Sequence, residues 1–324
     1  MFETIFDLIK KHDSIVIFGH ANPDGDCYGS QVGLKEVLKL AFPEKHIYIV
    51  GDGLPAFFSL LSKMDDVSDE IISKSLGILV DGNDLNRMSD PRVHNCLAWC
   101  KIDHHIDVGS FTEGPSVVDP NANSTCDLIT SFILENNLPI NAKAASALYL
   151  GILTDTGRFQ FVNDYPNTFA RVTFLCNNGA DPREINKLLN TTEESTLALK
   201  GYMLSNYKKS KGGVIYIVFT KEILKKLGVS ANEASNMINI YSNVIGYPVW
   251  ATFAENPNGD IRVELRSNGP AVQPLAASIG GGGHMYASGA RLAKLDLQQI
   301  DSFIEKIDAA ISEWRKKIIC GKKS

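Results

Sequence analysis

Two histidines and four aspartates, spread over four short segments, carry the chemistry of this 324-residue chain. They are His20, Asp24 and Asp26 in GHANPDGD, Asp81 in ILVDGND, His104 in KIDHH and Asp155 in GILTDTG. In each segment an apolar run, reading as a buried strand or helix, ends abruptly in carboxylates or imidazoles. Carboxylates in such places are expensive unless they are paired or bound to metal. Four ends of this form in one domain imply that they converge. Converging His and Asp side chains are the ligand set of a two-metal hydrolase.

Each segment also has a plainer explanation. Asp24 and Asp26 alternate, so an extended loop points them to different cations; the alternative is an Asx-rich turn with Asp26 near a helix N-terminus. Asp81 ends a strand, where its two oxygens can bridge two cations. Asp84 and Arg87 suit a local, structural ion pair. In KIDHH the adjacent histidines cannot easily share one metal. One can ligate while the other faces substrate, and Asp103 can hold an imidazole N–H and fix its tautomer; a histidine-rich surface loop is the alternative. Asp155 competes with a helix C-cap turn at Gly157, and Arg158 is either a phosphate ligand or a surface arginine.

Further along, Gly280 to Gly283 precede His284. Such a run lets backbone N–H groups approach an anion, but it lacks the Lys-Ser/Thr of a P-loop; a flexible loop is the plain reading. Arg266 and Ser267 end a strand in VELRSNG. Arginine suits bidentate phosphate binding, with a rim arginine as the alternative. His12, His46 and His94 receive no role.

The elements that must position these residues alternate in the first half. Apolar runs at 14–19, 46–50, 76–80, 96–102 and 116–119 read as strands. Helical spacing covers 26–41, 124–137 (opened by a Ser/Thr cap) and 142–153. Alternation of this kind predicts an α/β domain, a largely parallel sheet flanked by helices, with ligands at the carboxyl ends of strands. A helical stretch over about 181–207, containing DPREINKLLN and TEESTLALKGYML, is expected as a helical connector, with a boundary near 190–203. Strands at 213–219, 248–255 and 260–267, an NPNG hairpin turn, and helices at about 230–241 and 297–318 predict a smaller C-terminal α+β domain. The expected division is 1–190 for the metal-binding catalytic domain, 191–207 for the connector and 208–324 for the substrate-binding domain.

Composition narrows the function. Hydrophobic content of 44% with 21% charged residues lets each half bury a core. No apolar stretch approaches the roughly 20 residues of a membrane span. The first segment, MFETIFDLIKKHD, reads as a helix and not a signal peptide. The net charge of −5 disfavours a general duplex-DNA binder. Residues 1–190 carry a net of −10 and residues 191–324 a net of +5, which suits cations in the first half and an anionic substrate in the second; drift of surface charge would give the same numbers. None of the six cysteines forms a C-x-x-C pair, so a reduced, cytoplasmic protein is expected.

Taken together, NPDGD, VDGND, DHH and TDTG, followed by GGGGH, resemble the DHH phosphoesterases with their associated C-terminal domain, from about residue 14 to 292. Length and simplicity resemble the nano-RNase and pAp-phosphatase branch. Family II inorganic pyrophosphatases share the N-terminal motifs but not GGGGH. The resemblance implies that His20, Asp24 and Asp81 hold one divalent cation, and that Asp26, Asp81, His104 and Asp155 hold a second, with Asp81 bridging. It implies manganese, which mixed imidazole and carboxylate ligands also favour over magnesium. It places His105 at the scissile phosphate, and Arg266, Ser267 and His284, with Gly282 and Gly283 beside them, on the substrate's other phosphate or sugar. Cys27 departs from the small residue usual after the second aspartate, and puts an oxidisable thiol beside the metals.

The expected activity is hydrolysis of short RNA to mononucleotides and of adenosine 3',5'-bisphosphate to AMP. Phosphodiesterase action on cyclic or linear diadenylate is the enzymatic alternative. A catalytically silent nucleotide-binding regulator is the alternative of another class. The expected partners are short single-stranded RNA or small nucleotides, with no duplex DNA and no membrane; a homodimer is compatible with the sequence. Tyr241, Tyr247, Trp250 and Tyr286 are candidates for base stacking or for the core.

Overall fold

The computed structural model describes residues 1–53, 62–82, 85–105 and 114–321. The chain divides into two compact units, Met1–Thr191 and Thr192–Ser324.

In the first unit, helix α1 (Glu3–Lys11) leads into strand β1 (Ser14–Phe18), helix α2 (Gly25–Ala41) and strand β2 (His46–Val50). A short helix α3 (Asp69–Ser73) precedes β3 (Leu76–Val80), β4 (Ala98–Asp103) and β5 (Ser116–Val118). Helices α4 (Thr125–Glu135), α5 (Ala142–Asp155), α6 (Tyr165–Asn177) and α7 (Pro182–Asn190) complete it. The sheet order is β2-β1-β3-β4-β5, parallel throughout. All five residues of β3 are buried, as expected of a central parallel strand covered on both faces. The chain leaves β1 toward β2, then returns to the other side of β1 as β3. A crevice for ligands forms at such a switch point, outside the carboxyl ends of the strands. His20 follows β1 and Asp81 follows β3, so both lie at this point.

Helices α2 and α5 run antiparallel in close contact. A Cβ on Gly29 would meet the Ala147 carbonyl oxygen at 2.4 Å, and one on Gly25 would meet Thr154 Oγ1 at 2.3 Å. Glycine at these positions lets the start of α2, which carries Asp26, lie beside the end of α5, which carries Asp155.

The second unit contains α8 (Glu194–Asn206), β6 (Lys208–Lys209), β7 (Val214–Phe219), α9 (Lys221–Leu227), α10 (Ala231–Asn236), β8 (Val249–Glu255) and β9 (Ile261–Ser267). It closes with α11 (Gln273–Ala277), β10 (Gly282–Gly283), β11 (Ala287–Leu292) and α12 (Leu297–Gly321). Its sheet order is β10-β11-β9-β8-β7-β6, antiparallel except for β7 with β8. Apolar residues of α12, including Phe303 and Ile307, share a core with Val249, Phe253 and Val263 of the sheet.

The helical stretch over 181–207 is present as α7 and α8, which part at Thr191 (ψ 130°), within the expected boundary. Several elements differ from the sequence expectation. Helix α6 is not anticipated by periodicity. The segment over 230–241 is a six-residue α-helix followed by a 3-10 turn from Met237 to Tyr241. Gly282 and Gly283 pair with Gly289 and Ser288 and are not a loose loop. Asp84, and with it the Asp84–Arg87 pair, lies outside the described residues. No helix among the described residues is long and apolar enough to cross a membrane.

Candidate metal centre and its surroundings

Asp81 stands at the middle of the converging residues. It is 2% exposed, and its N–H donates to the Ile102 carbonyl of the neighbouring strand at 3.2 Å. Its backbone is left-handed, φ 57°, a conformation non-glycine residues seldom adopt and one concentrated at functional sites. Its Oδ2 lies 3.4 Å from His20 Nε2, and its Oδ1 lies 3.5 Å from His104 Nε2. The two oxygens of one carboxylate therefore face two different imidazoles.

The other aspartates divide between the same two histidines. Asp24 Oδ1 is 3.9 Å from His20 Nε2. Asp26 Oδ2 and Asp155 Oδ2 lie 3.8 and 3.3 Å from His104 Nε2. This division does not come from an extended loop. Asp24 caps α2, accepting from the N–H groups of Asp26 and Cys27 at 3.0 Å each, and Asp26 sits in the first turn. Asp155 occupies the last turn of α5, with Thr156 as the cap. Cap and ligand candidate thus coincide in Asp24, and the two descriptions were not true alternatives.

Asp26 is anchored from across the domain. Its Oδ2 accepts from Thr125 N at 2.7 Å and its Oδ1 from Cys126 N at 2.9 Å. These are the first N–H groups of α4, which have no partner within their own helix. Ser124 caps that helix by accepting from Asp127 N. The Thr125 hydroxyl donates to Asp81 Oδ1 at 3.1 Å. Sequence reading treats Ser124 and Thr125 only as a helix start. Ser124 is that start, but the Thr125 contacts span 99 and 44 residues, and nothing local announces them.

His105 is held by Asp103, whose Oδ1 lies 2.9 Å from ring Nδ1 and accepts from the His105 backbone N–H at 3.1 Å. With Nδ1–H as donor, Nε2 is left free for another group. Among the described residues, Asp103 Oδ2 is buried without a hydrogen-bond partner.

The electrostatics of the centre favour positive charge. Burial, aided by Asp26 and Asp24, pushes Asp81 well above the usual carboxylate range. Burial and the same two neighbours raise Asp155 to about 8. Burial raises Asp26 against the opposing pull of His104. Burial lowers His104, while the Asp103 hydrogen bond lifts His105 to about 8. Donor atoms of His104, Asp26 and Asp155 lie within 4.8 Å of one another, as do those of Asp81, His104 and His105. Crowded, desolvated carboxylates interleaved with imidazoles fit a cation site: bound divalent charge removes both the repulsion and the desolvation cost.

Cys27 joins His20 and Asp81 in a third such group. It is fully buried, and burial together with Asp81 and Asp24 pushes its thiol up. The thiol is thus shielded from solvent.

Arg158 is exposed, and its Nη2 donates to Asn190 Oδ1 at 2.8 Å on α7. In the second unit, β11 lies between β10, which carries Gly282 and Gly283, and β9, which carries Arg266. Gly283 has φ 132°, and a Cβ there would meet the Ala287 carbonyl oxygen at 2.8 Å, so only glycine fits. His284 is exposed, its N–H donating to Ala287 O at 2.8 Å. Arg266 Nη1 donates to Glu264 Oε2 at 3.1 Å and to Leu265 O at 2.8 Å. Ser267 is buried, and its Oγ accepts from Gly269 N at 2.9 Å. Tyr241 and Trp250 are core residues and Tyr247 packs partly buried against them, whereas Tyr286 is 51% exposed.

The fold and the site define a metal-dependent phosphoesterase of the DHH type, and the comparisons agree. Residues 14–152 match the DHH family N-terminal domain and residues 209–313 the DHHA1 domain. The chain belongs to the DHH family. It is 37% identical over 289 residues to a Streptococcus mutans protein named probable bifunctional oligoribonuclease and PAP phosphatase NrnA, covering 89% of this chain and 93% of that one. A Bacillus subtilis protein named bifunctional oligoribonuclease and PAP phosphatase NrnA is 34% identical over 291 residues, with 89% and 92% covered. Among solved structures, an exopolyphosphatase-related protein from Bacteroides fragilis superposes with a TM-score of 0.85 at 26% identity, over 95% of this chain and 96% of that one.

Proposed function

We infer that this chain hydrolyses short RNA oligonucleotides to mononucleotides, and adenosine 3',5'-bisphosphate to AMP, with divalent cations. The observation that carries the reading is Asp81, whose two oxygens face His20 and His104 at 3.4 and 3.5 Å. The two activities are those for which the Streptococcus mutans and Bacillus subtilis relatives are named.

His20, Asp24 and Asp81 would hold one cation, and Asp26, Asp81, His104 and Asp155 the other. The mixed donor set favours manganese. Cations bound there supply Lewis-acid charge for the phosphoryl oxygens and make water a nucleophile at neutral pH. His105, oriented through Nδ1 by Asp103, presents Nε2–H to a phosphoryl oxygen and stabilises charge growing on it. Without bound cations the Asp103 hydrogen bond raises His105 to about 8. Arg266, Ser267, Gly282, Gly283 and His284 recognise the substrate's other phosphate or sugar, and Arg158 is a further candidate phosphate contact. Exposed Tyr286 is available to stack a base. Small single-stranded substrates suit a protein of net charge −5, and the free cysteines Cys27, Cys96, Cys100, Cys126 and Cys176 suit a reduced cytoplasm.

A turnover panel in manganese tests this reading. It compares a 5'-labelled RNA dinucleotide, a five-residue RNA, adenosine bisphosphate, cyclic diadenylate and pyrophosphate. Preferred cutting of the short RNAs, with slower release of phosphate from adenosine bisphosphate, is expected. Preference for cyclic diadenylate would replace the reading with signalling turnover, and no hydrolysis at all would favour a nucleotide-binding regulator.

A further inference from the structure

We propose that Thr125 is a positioning residue for the cation on the His104 side of the centre. The proposal rests on the cation-binding reading above. Thr125 touches two different candidate ligands through two different groups. Its backbone N–H donates to Asp26 Oδ2 at 2.7 Å, and its hydroxyl donates to Asp81 Oδ1 at 3.1 Å. It is fully buried, so water does not compete for either bond. Asp26 and Asp81 start from elements far apart in sequence, α2 and the end of β3. Thr125 is where they meet a common donor.

The direction of these bonds matters. With a cation bound, Asp81 is ionised and only accepts, so the Thr125 hydroxyl donates to Oδ1. That oxygen is the one facing His104, at 3.5 Å, whereas Oδ2 faces His20. Asp26, also on the His104 side at 3.8 Å, has each oxygen occupied by one N–H of α4. Thr125 therefore fixes the orientation of two of the three carboxylates that face His104, Asp26 and Asp81 but not Asp155, and makes no hydrogen bond to His20 or Asp24. Hydrogen bonds of this kind orient metal ligands, and their loss typically lowers metal affinity about 10–100-fold. A simple clamp of α4 onto α2 would behave differently: its loss would change folding stability and leave cation affinity alone.

The test uses the full-length chain and manganese binding followed by electron paramagnetic resonance and calorimetry, without substrate. Thr125→Val removes the hydroxyl and keeps the shape; Thr125→Ala gives the same loss where the second methyl is not accommodated. Thr125→Ser keeps the hydroxyl and loses only a methyl. The expected result is one class of manganese site weakened about 10–100-fold in Thr125→Val or Thr125→Ala, the other class, which shares only Asp81 with it, weakened less, and both retained in Thr125→Ser. Unchanged binding in the hydroxyl-less variants would overturn the proposal, as would equal weakening of both classes or an equal loss in Thr125→Ser. A wild type that binds no manganese would overturn the metal reading itself, and the proposal with it.

Discussion

Asp103 Oδ1 takes two hydrogen bonds from His105, one from ring Nδ1 at 2.9 Å and one from the backbone N–H at 3.1 Å. The ring bond is the main reason His105 is raised from 6.5 to about 8. If the cationic ring stabilises the phosphoryl group, activity falls as pH rises through that value. Asp103→Asn removes the carboxylate, so the alkaline limb of kcat/KM against pH should move down toward 6.5, the ordinary imidazole value. Profiles of the two proteins in excess manganese check this; a limb that stays in place would remove His105 from the role given to it.

Stability should depend on pH without metal and lose that dependence with it. Asp155 is raised from 3.8 to about 8, and Asp26 and Asp81 are raised as well. A raised carboxyl binds its proton more tightly folded than unfolded, so its contribution is complete below 3.8 and is lost as pH rises through the folded value. His105 acts in the same sense between 6.5 and about 8. His104 is lowered, so its contribution is already present above 6.5 and does not offset the fall. The thermal midpoint in chelator should therefore drop between pH 6.5 and 8, and excess manganese should abolish the drop.

Gly151 of α5 leaves no room for a side chain: a Cβ would meet Cys126 Sγ at 2.2 Å and Asp26 Oδ1 at 2.8 Å. Gly151→Ala should destabilise the protein by about 1–3 kcal/mol, the usual range for overpacking. Because one obstructed atom belongs to Asp26, manganese affinity should fall too. Denaturant unfolding and a binding isotherm measure the two effects separately.

Where side chains announce their own environment, the sequence is readable. The apolar runs ending at Phe18 and Val80 are strands because both faces are buried, and the polar residues that follow them mark the site. Helix α6 is hidden because it buries only Thr168 and Leu175, too narrow a stripe to show a period. Helix α9 carries a Thr220 cap and a left-handed Gly228, local signals spread over too few turns to stand out. The Gly282–Gly283 strand has no side chains to alternate and exists through its pairing with Ser288 and Gly289. Thr125 is invisible for a different reason, since its partners are fixed only by the packing of α2 and α4.

Arg266 belongs to binding and not to chemistry in this account. Its guanidinium is ordered on Glu264 and Leu265 before any substrate arrives. A charged hydrogen bond is worth about 1.5–3 kcal/mol, so Arg266→Ala should raise KM for adenosine bisphosphate roughly 10–100-fold with kcat near wild type. A fall in kcat at unchanged KM would place Arg266 in the reacting centre instead.

The central claim is that Asp81 organises a metal-dependent phosphodiesterase. The most direct measurement is the turnover of an RNA dinucleotide in manganese by wild type and by Asp81→Asn, with folding of both checked by circular dichroism. The account predicts mononucleotide release by wild type, its loss in chelator, and its loss in a folded Asp81→Asn that no longer binds manganese at full stoichiometry. Undiminished hydrolysis by Asp81→Asn, or by wild type in chelator, would contradict it.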